Sequence, residues 1–122
     1  MKASIIEFTS YSGNQTYIES VNYDLDYLKV VVVADSNLRI EVCFHQPIGF
    51  RCLDEGDLLE FWASNQITSN WLLQIHDSGW LAQESDRGGF LSKDTTLSEY
   101  LIKGSNECLN VLSTDKPLIS LV

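Results

Sequence analysis

The hydrophobic pattern of this chain is mainly that of strands. Leu28-Lys29-Val30-Val31-Val32-Val33-Ala34 is β-branched and apolar on both alternating faces, which predicts a strand covered on both sides in a sheet interior. Asp35-Ser36-Asn37 makes a short turn, after which Leu38, Ile40, Val42 and Phe44 alternate with Arg39, Glu41, Cys43 and His45. That alternation predicts a second strand burying its even-numbered side chains. The two strands form an antiparallel hairpin ended by Pro47 and Gly49.

The remaining segments read less sharply. Residues 4–8 predict a short first strand, whereas Tyr11 to Asp26 is polar and tyrosine-rich, with a turn signal at Ser12-Gly13-Asn14 and the weakest regular pattern in the chain. A helix is predicted over Glu55 to Ala63, with Asp54 as its N-cap, Asp57 three residues on, and Leu58, Leu59, Phe61 and Trp62 as its apolar stripe. Trp71 to His76 and Trp80 to Glu84 read as a second hairpin across Asp77-Ser78-Gly79, followed by a surface loop over residues 85–96. A last hairpin pairs Glu99 to Lys103 with Cys108 to Ser113, and Pro117 to Val122 predicts a terminal edge strand. The fold class expected is α+β: one domain over residues 1–122, mostly antiparallel β-sheet built from hairpins, with one or two short helices packed on it.

Composition narrows the function. The 122 residues are 44% hydrophobic, which is ordinary for a globular chain, so folding is expected without a cofactor. Seventeen acidic residues against eight Lys and Arg give a net charge of −9. Nucleic acid and anionic membranes need a basic footprint, so neither is expected as a direct partner; a basic protein is. Excess acid also serves plain solubility. With no apolar run of signal-peptide or membrane-spanning length, the chain is expected to be cytoplasmic. Cys43, Cys52 and Cys108 are odd in number and widely spaced, and are expected to be reduced, buried thiols.

Catalytic and metal chemistry find little support. His45 ends a strand whose odd face also carries Arg39 and Glu41, which places it toward solvent, and His76 sits beside a turn. Neither histidine has a local motif pairing it with a nucleophile. Asp54-Glu55-Gly56-Asp57 lacks the alternating acids and following Glu of a calcium loop, and helix capping accounts for the same residues. Gly88-Gly89 is not followed by the Lys-Ser/Thr pair of a phosphate cradle.

Two groups remain as binding candidates. Asp54, Glu55, Asp57 and Glu60 would form one negative patch on the predicted helix; capping and solvation explain them equally well. Tyr11, Tyr17, Tyr23 and Tyr27 stand among Glu19, Asp24 and Asp26, an acidic, tyrosine-bearing segment suited to a cationic surface, although some of these rings belong in a core. Trp62, Trp71 and Trp80 are expected in the core.

The run Gly49-Phe50-Arg51-Cys52-Leu53-Asp54-Glu55-Gly56-Asp57-Leu58-Leu59-Glu60-Phe61-Trp62, with Glu99-Tyr100-Leu101-Ile102 and Cys108-Leu109-Asn110-Val111-Leu112-Ser113, resembles small bacterial immunity proteins, including those of contact-dependent growth inhibition. The resemblance covers mainly residues 49–113, and such proteins share no universal signature. It implies a cytoplasmic inhibitor that binds a cognate toxin domain, often a basic nuclease, and blocks its active site or substrate surface. Tyr17, Glu19, Tyr23, Asp24, Asp26, Asp54, Glu55, Asp57 and Glu60 are the residues expected to meet that toxin. The alternative is a small-molecule-binding or enzymatic α+β domain whose pocket is lined by tryptophans and carries His45 or His76.

Overall fold

The computed structural model describes residues 2–54, 69–90 and 96–122. In chain order they form β1 (Ala3–Ile5), β2 (Thr16–Tyr23), β3 (Tyr27–Ala34), a single 3-10 turn (Asp35–Asn37), β4 (Leu38–His45), β5 (Gly49–Asp54), β6 (Leu72–Ile75), α1 (Trp80–Asp86), β7 (Ser98–Lys103), β8 (Glu107–Ser113) and β9 (Leu118–Leu121). The strands make two antiparallel sheets, one of five in the order β1-β6-β7-β8-β5 and one of four in the order β2-β3-β4-β9. The predicted helix over Glu55 to Ala63, with Glu55, Asp57, Glu60 and Trp62, lies outside the described residues.

Alternation fixes how the sheets meet. Leu28, Val30 and Val32 of β3 and Ile40, Val42 and Phe44 of β4 share one face and are fully buried. They pack on Leu72, Tyr100, Ile102, Leu109 and Val111 of the five-stranded sheet, with Trp71 closing one end. Each such side chain contributes roughly 1.5–3 kcal/mol by leaving water, so this two-layer core is the main stabilising term.

Several expectations hold: the β3–β4 hairpin, the β7–β8 hairpin, and β9 as an edge strand on β4. Others are corrected. The first strand covers only Ala3–Ile5. β3 is covered on both sides only toward its end, since on its outer face Val33 is buried but Val31 is half-buried and Lys29 exposed. Fuller double burial belongs to β7 and β8, whose second face carries Leu101 and Cys108 into a smaller cluster with Ala3, Leu73 and Ile75. Cysteine burial is graded: none of the three forms a disulfide, and Cys108 is buried, but Cys43 is half-buried and Cys52 exposed because it lies on the edge strand β5.

The largest correction is at Trp80 to Glu84, expected as a strand and observed, with the first two residues of the expected loop, as α1. Leu81, Ala82, Gln83 and Glu84 favour helix, and Trp80 Nε1 donates to Glu84 Oε1 one turn on at 3.1 Å. Gly79 supplies no side-chain cap. A carboxylate from another strand does that work: Glu99 Oε1, on β7, accepts the Leu81 N–H at 2.8 Å. Glu99 Oε2 accepts from Asn110 Nδ2 at 3.1 Å, and Asn110 Oδ1 accepts from Arg51 Nε at 3.2 Å. The Arg51 guanidinium lies 5.1 Å from the Trp80 ring centroid, tying helix to sheet again. Glu99 is 1% exposed, and burial pushes its carboxyl above the ordinary range despite these hydrogen bonds.

Two predictions follow from this latch. A Cβ at Gly79 would stand 2.6 Å from Glu99 Oε1 and 2.8 Å from Ile75 Cγ2. Gly79→Ala is therefore expected to lower unfolding stability in urea by about 1–3 kcal/mol, through overpacking. Because the folded protein holds the Glu99 proton more tightly than the unfolded chain, this carboxyl stabilises as pH falls from neutrality toward its ordinary value of 4.5. The stability of wild type relative to Glu99→Gln is expected to grow over that window; a difference independent of pH would contradict it.

Candidate functional site

The two sheets leave a lateral seam where edge strand β2 of one faces edge strand β5 of the other. Among the described residues β2 pairs only with β3, and β5 only with β8. At one end the seam is closed tightly: Thr16 Oγ1 donates to the Lys103 carbonyl at 2.6 Å, and the Gly104 backbone packs on Ile18. Midway, the Tyr23 and Phe50 rings meet edge-on with centroids 5.2 Å apart. At the far end the turn between β2 and β3 projects beyond the sandwich.

A β-bulge decides which β2 residues face the seam. Ile18 sits opposite Val32, but Ser20 sits opposite Val31, so Glu19 is the extra residue. Beyond it, Val21 and Tyr23 fall opposite Val30 and Leu28, on the inward face. Being at an edge, they are only partly covered. From β5 and β8 the register turns Phe50, Cys52, Asp54 and Glu107 to the same side as the buried Leu109 and Val111. The Cys52 thiol lies 3.8 Å from Glu107 Oε2, and burial with that carboxylate beside it raises the thiol above its ordinary range.

The projecting turn is built by Asp24. Its Oδ1 accepts from the backbone N–H groups of Tyr27 at 2.8 Å and Asp26 at 3.0 Å, bonds that hold its carboxyl below the ordinary range. Gln46 N also donates to the Asp26 carbonyl at 2.7 Å. Between the two acids Leu25 adopts φ 79° and is 75% exposed. A leucine gains nothing locally from either circumstance, since the left-handed backbone costs it roughly 1–2 kcal/mol and its side chain stays in water. Ile48, just before β5, is exposed as well.

The predicted site residues therefore divide. Tyr23, Asp24, Asp26 and Asp54 lie along this seam or at its ends, spread over roughly 20 Å of strand at 3.3 Å per residue, whereas Tyr17, opposite Val33, alternates to the outward face of β2 and borders only the closed end beside residues 105–107. Glu19 does not join them: the bulge sends it outward, where its Oε2 accepts from Arg39 Nη2 at 2.7 Å. One expectation about the tyrosine-rich segment is corrected: residues 16–23 form an eight-residue strand. Asp54 ends β5 opposite Glu107, and the helix it was expected to cap lies outside the described residues. Val21, Leu25, Ile48, Phe50 and Glu107 were not among the candidates; of these, only Leu25 between two aspartates carries a local signal.

The histidines are separate. His45 Nδ1 lies 3.6 Å from Asp115 Oδ2, with the Tyr27 ring beside it. His76 Nε2 lies 2.7 Å from Ser4 Oγ, a nucleophile-and-base distance on the exposed edge strand β1. Trp71 lines a mostly apolar cavity of about 300 Å³ with Ile6, Phe8 and Tyr11, and neither histidine borders it. Trp80 is half-buried against Arg51. Among the described residues no three His, Cys, Asp or Glu side chains are grouped to hold a metal ion, and no helix is long and apolar enough to cross a membrane.

Replacing Leu25 with glycine relieves the left-handed backbone and forfeits little packing. Leu25→Gly is expected to raise unfolding stability by about 0.5–1 kcal/mol, read from the urea midpoint. A clear loss of stability would show that the side chain supports the fold. Comparisons with protein-family models, with curated proteins and with solved structures give no match to this chain.

Proposed function

We propose that this chain is a cytoplasmic immunity protein, which binds a cognate toxin domain along the β2–β5 seam and blocks its active site or substrate surface. The observation that carries the reading is one edge of the molecule where Val21, Tyr23, Leu25, Ile48 and Phe50 are flanked by Asp24, Asp26, Asp54 and Glu107. Apolar side chains left partly in water with aromatic rings among them are the composition of an interface centre. Carboxylates around them suit a cationic partner, and a nuclease toxin has such a surface because it must hold phosphate. The net charge of −9 steers that encounter from a distance.

A second reading, enzymatic, rests on the Ser4–His76 contact. Among the described residues no carboxylate approaches within 4 Å of the His76 ring to orient it. Ser4→Ala and His76→Ala are accordingly expected to leave protection against the toxin unchanged.

The test takes as candidate toxin a nuclease domain encoded by a neighbouring gene. Co-expression is expected to restore growth, and the purified complex to weaken as salt is raised. Asp26→Lys with Glu107→Lys should weaken binding by roughly 10- to 100-fold, mostly through slower association, in a variant whose unfolding midpoint is retained. Undiminished growth arrest on co-expression, or full affinity in the double charge reversal, would overturn the reading.

A further inference from the structure

At the closed end of the seam a cavity of about 350 Å³ is lined by Tyr17 and Ile18 from β2 and by Ser105, Asn106 and Glu107 from the β7–β8 turn. We propose that this cavity receives an arginine side chain of the partner protein. The inference rests on the reading of the seam as a docking surface and deepens it by naming the group that is recognised.

The lining matches that side chain part by part. A guanidinium offers five N–H donors in a plane and no acceptor. Glu107 presents a carboxylate, and Ser105 and Asn106 add a hydroxyl and an amide oxygen. Tyr17, half exposed, offers a ring face on which a flat cation stacks. Ile18 offers an apolar wall for the methylene stem. An ammonium group meets the carboxylate but neither stacks as a plane nor forks, so arginine is favoured over lysine.

Asp54 stands directly opposite Glu107 at the end of the β5–β8 ladder, with both side chains on the seam face. The walls are also fixed before any ligand arrives. Gly104 N donates to the Glu107 carbonyl at 2.8 Å, and a Cβ at Gly104 would stand 2.8 Å from that oxygen and 3.1 Å from Ile18 N. The turn is thereby held against β2, and little ordering remains to be done on binding.

The experiment titrates the full chain with N-acetyl-arginine amide, following backbone amide signals by NMR, with the lysine and citrulline amides as controls. Saturable shifts confined to residues 17–18 and 104–107 are expected, in the millimolar range usual for so small a ligand. Lysine should bind at least threefold more weakly, and citrulline, which has the shape without the charge, should not saturate. Glu107→Gln and Tyr17→Ala should each weaken arginine at least fivefold while the remaining spectrum stays that of the wild type. Shifts scattered over the acidic surface and unchanged in Glu107→Gln, or equal binding of citrulline, would overturn the proposal. If arginine fails while Asp26→Lys still weakens the toxin complex, the cavity assignment falls and the seam stands; if neither has an effect, both fall.

Discussion

The packing of one sheet face on another governs everything else in this molecule. Leu28, Val30, Val32, Ile40, Val42 and Phe44 have no alternative to Leu72, Tyr100, Ile102, Leu109 and Val111 as a place to leave water. Stacked sheets stand about 10 Å apart, and side chains at their margins cannot be covered from both layers. The margin between β2 and β5 is therefore partly open wherever nothing pulls the layers together. Thr16, Gly104 and Ile18 pull them together at one end, and the seam opens toward Leu25 at the other.

On the opposite face of the five-stranded sheet, polar groups do the holding. Glu99, Asn110 and Arg51 form a chain of hydrogen bonds from β7 through β8 to β5, and Glu99 also caps α1. Burying a carboxylate is costly, and a hydrophobic residue at position 99 could pack as densely. It could not accept the Leu81 N–H. The network therefore contributes position more than net stability: it sets where α1 sits and where β5 runs, and β5 is half of the seam.

Sequence was informative where period 2 is unbroken and silent where it is not. β3, β4, β7 and β8 are legible because each pairs over its length without interruption and buries a regular face. β2 is not, since its inward residues Thr16, Ile18, Val21 and Tyr23 are spaced by two, three and two around the bulge at Glu19. No alternating template fits that spacing, so the strand reads as an irregular polar segment. The segment 80–86 misled in the other direction, because its N-terminal cap is a glutamate eighteen residues away. Of the site, the tyrosines and aspartates were legible as chemistry. Their assembly with Phe50 and Glu107 depends on which strands lie at sheet edges, a property of pairing order and of no single segment.

The seam's arrangement also separates two roles that charge and apolar surface play in association. Exposed carboxylates act over a Debye length, about 8 Å at physiological salt, and chiefly raise the rate of encounter. They hold a complex together weakly, as the exposed Arg39–Glu19 pair illustrates within this chain, where such a contact is worth at most about 1 kcal/mol. Persistence has to come from desolvated apolar contact, and here that is supplied by Val21, Tyr23, Leu25, Ile48 and Phe50. With the acids at both ends and the apolar residues between them, a cationic surface is drawn in along the whole edge before its centre is desolvated. An evenly mixed edge would place a charge inside every desolvated contact and lose in dehydration what it gained in attraction.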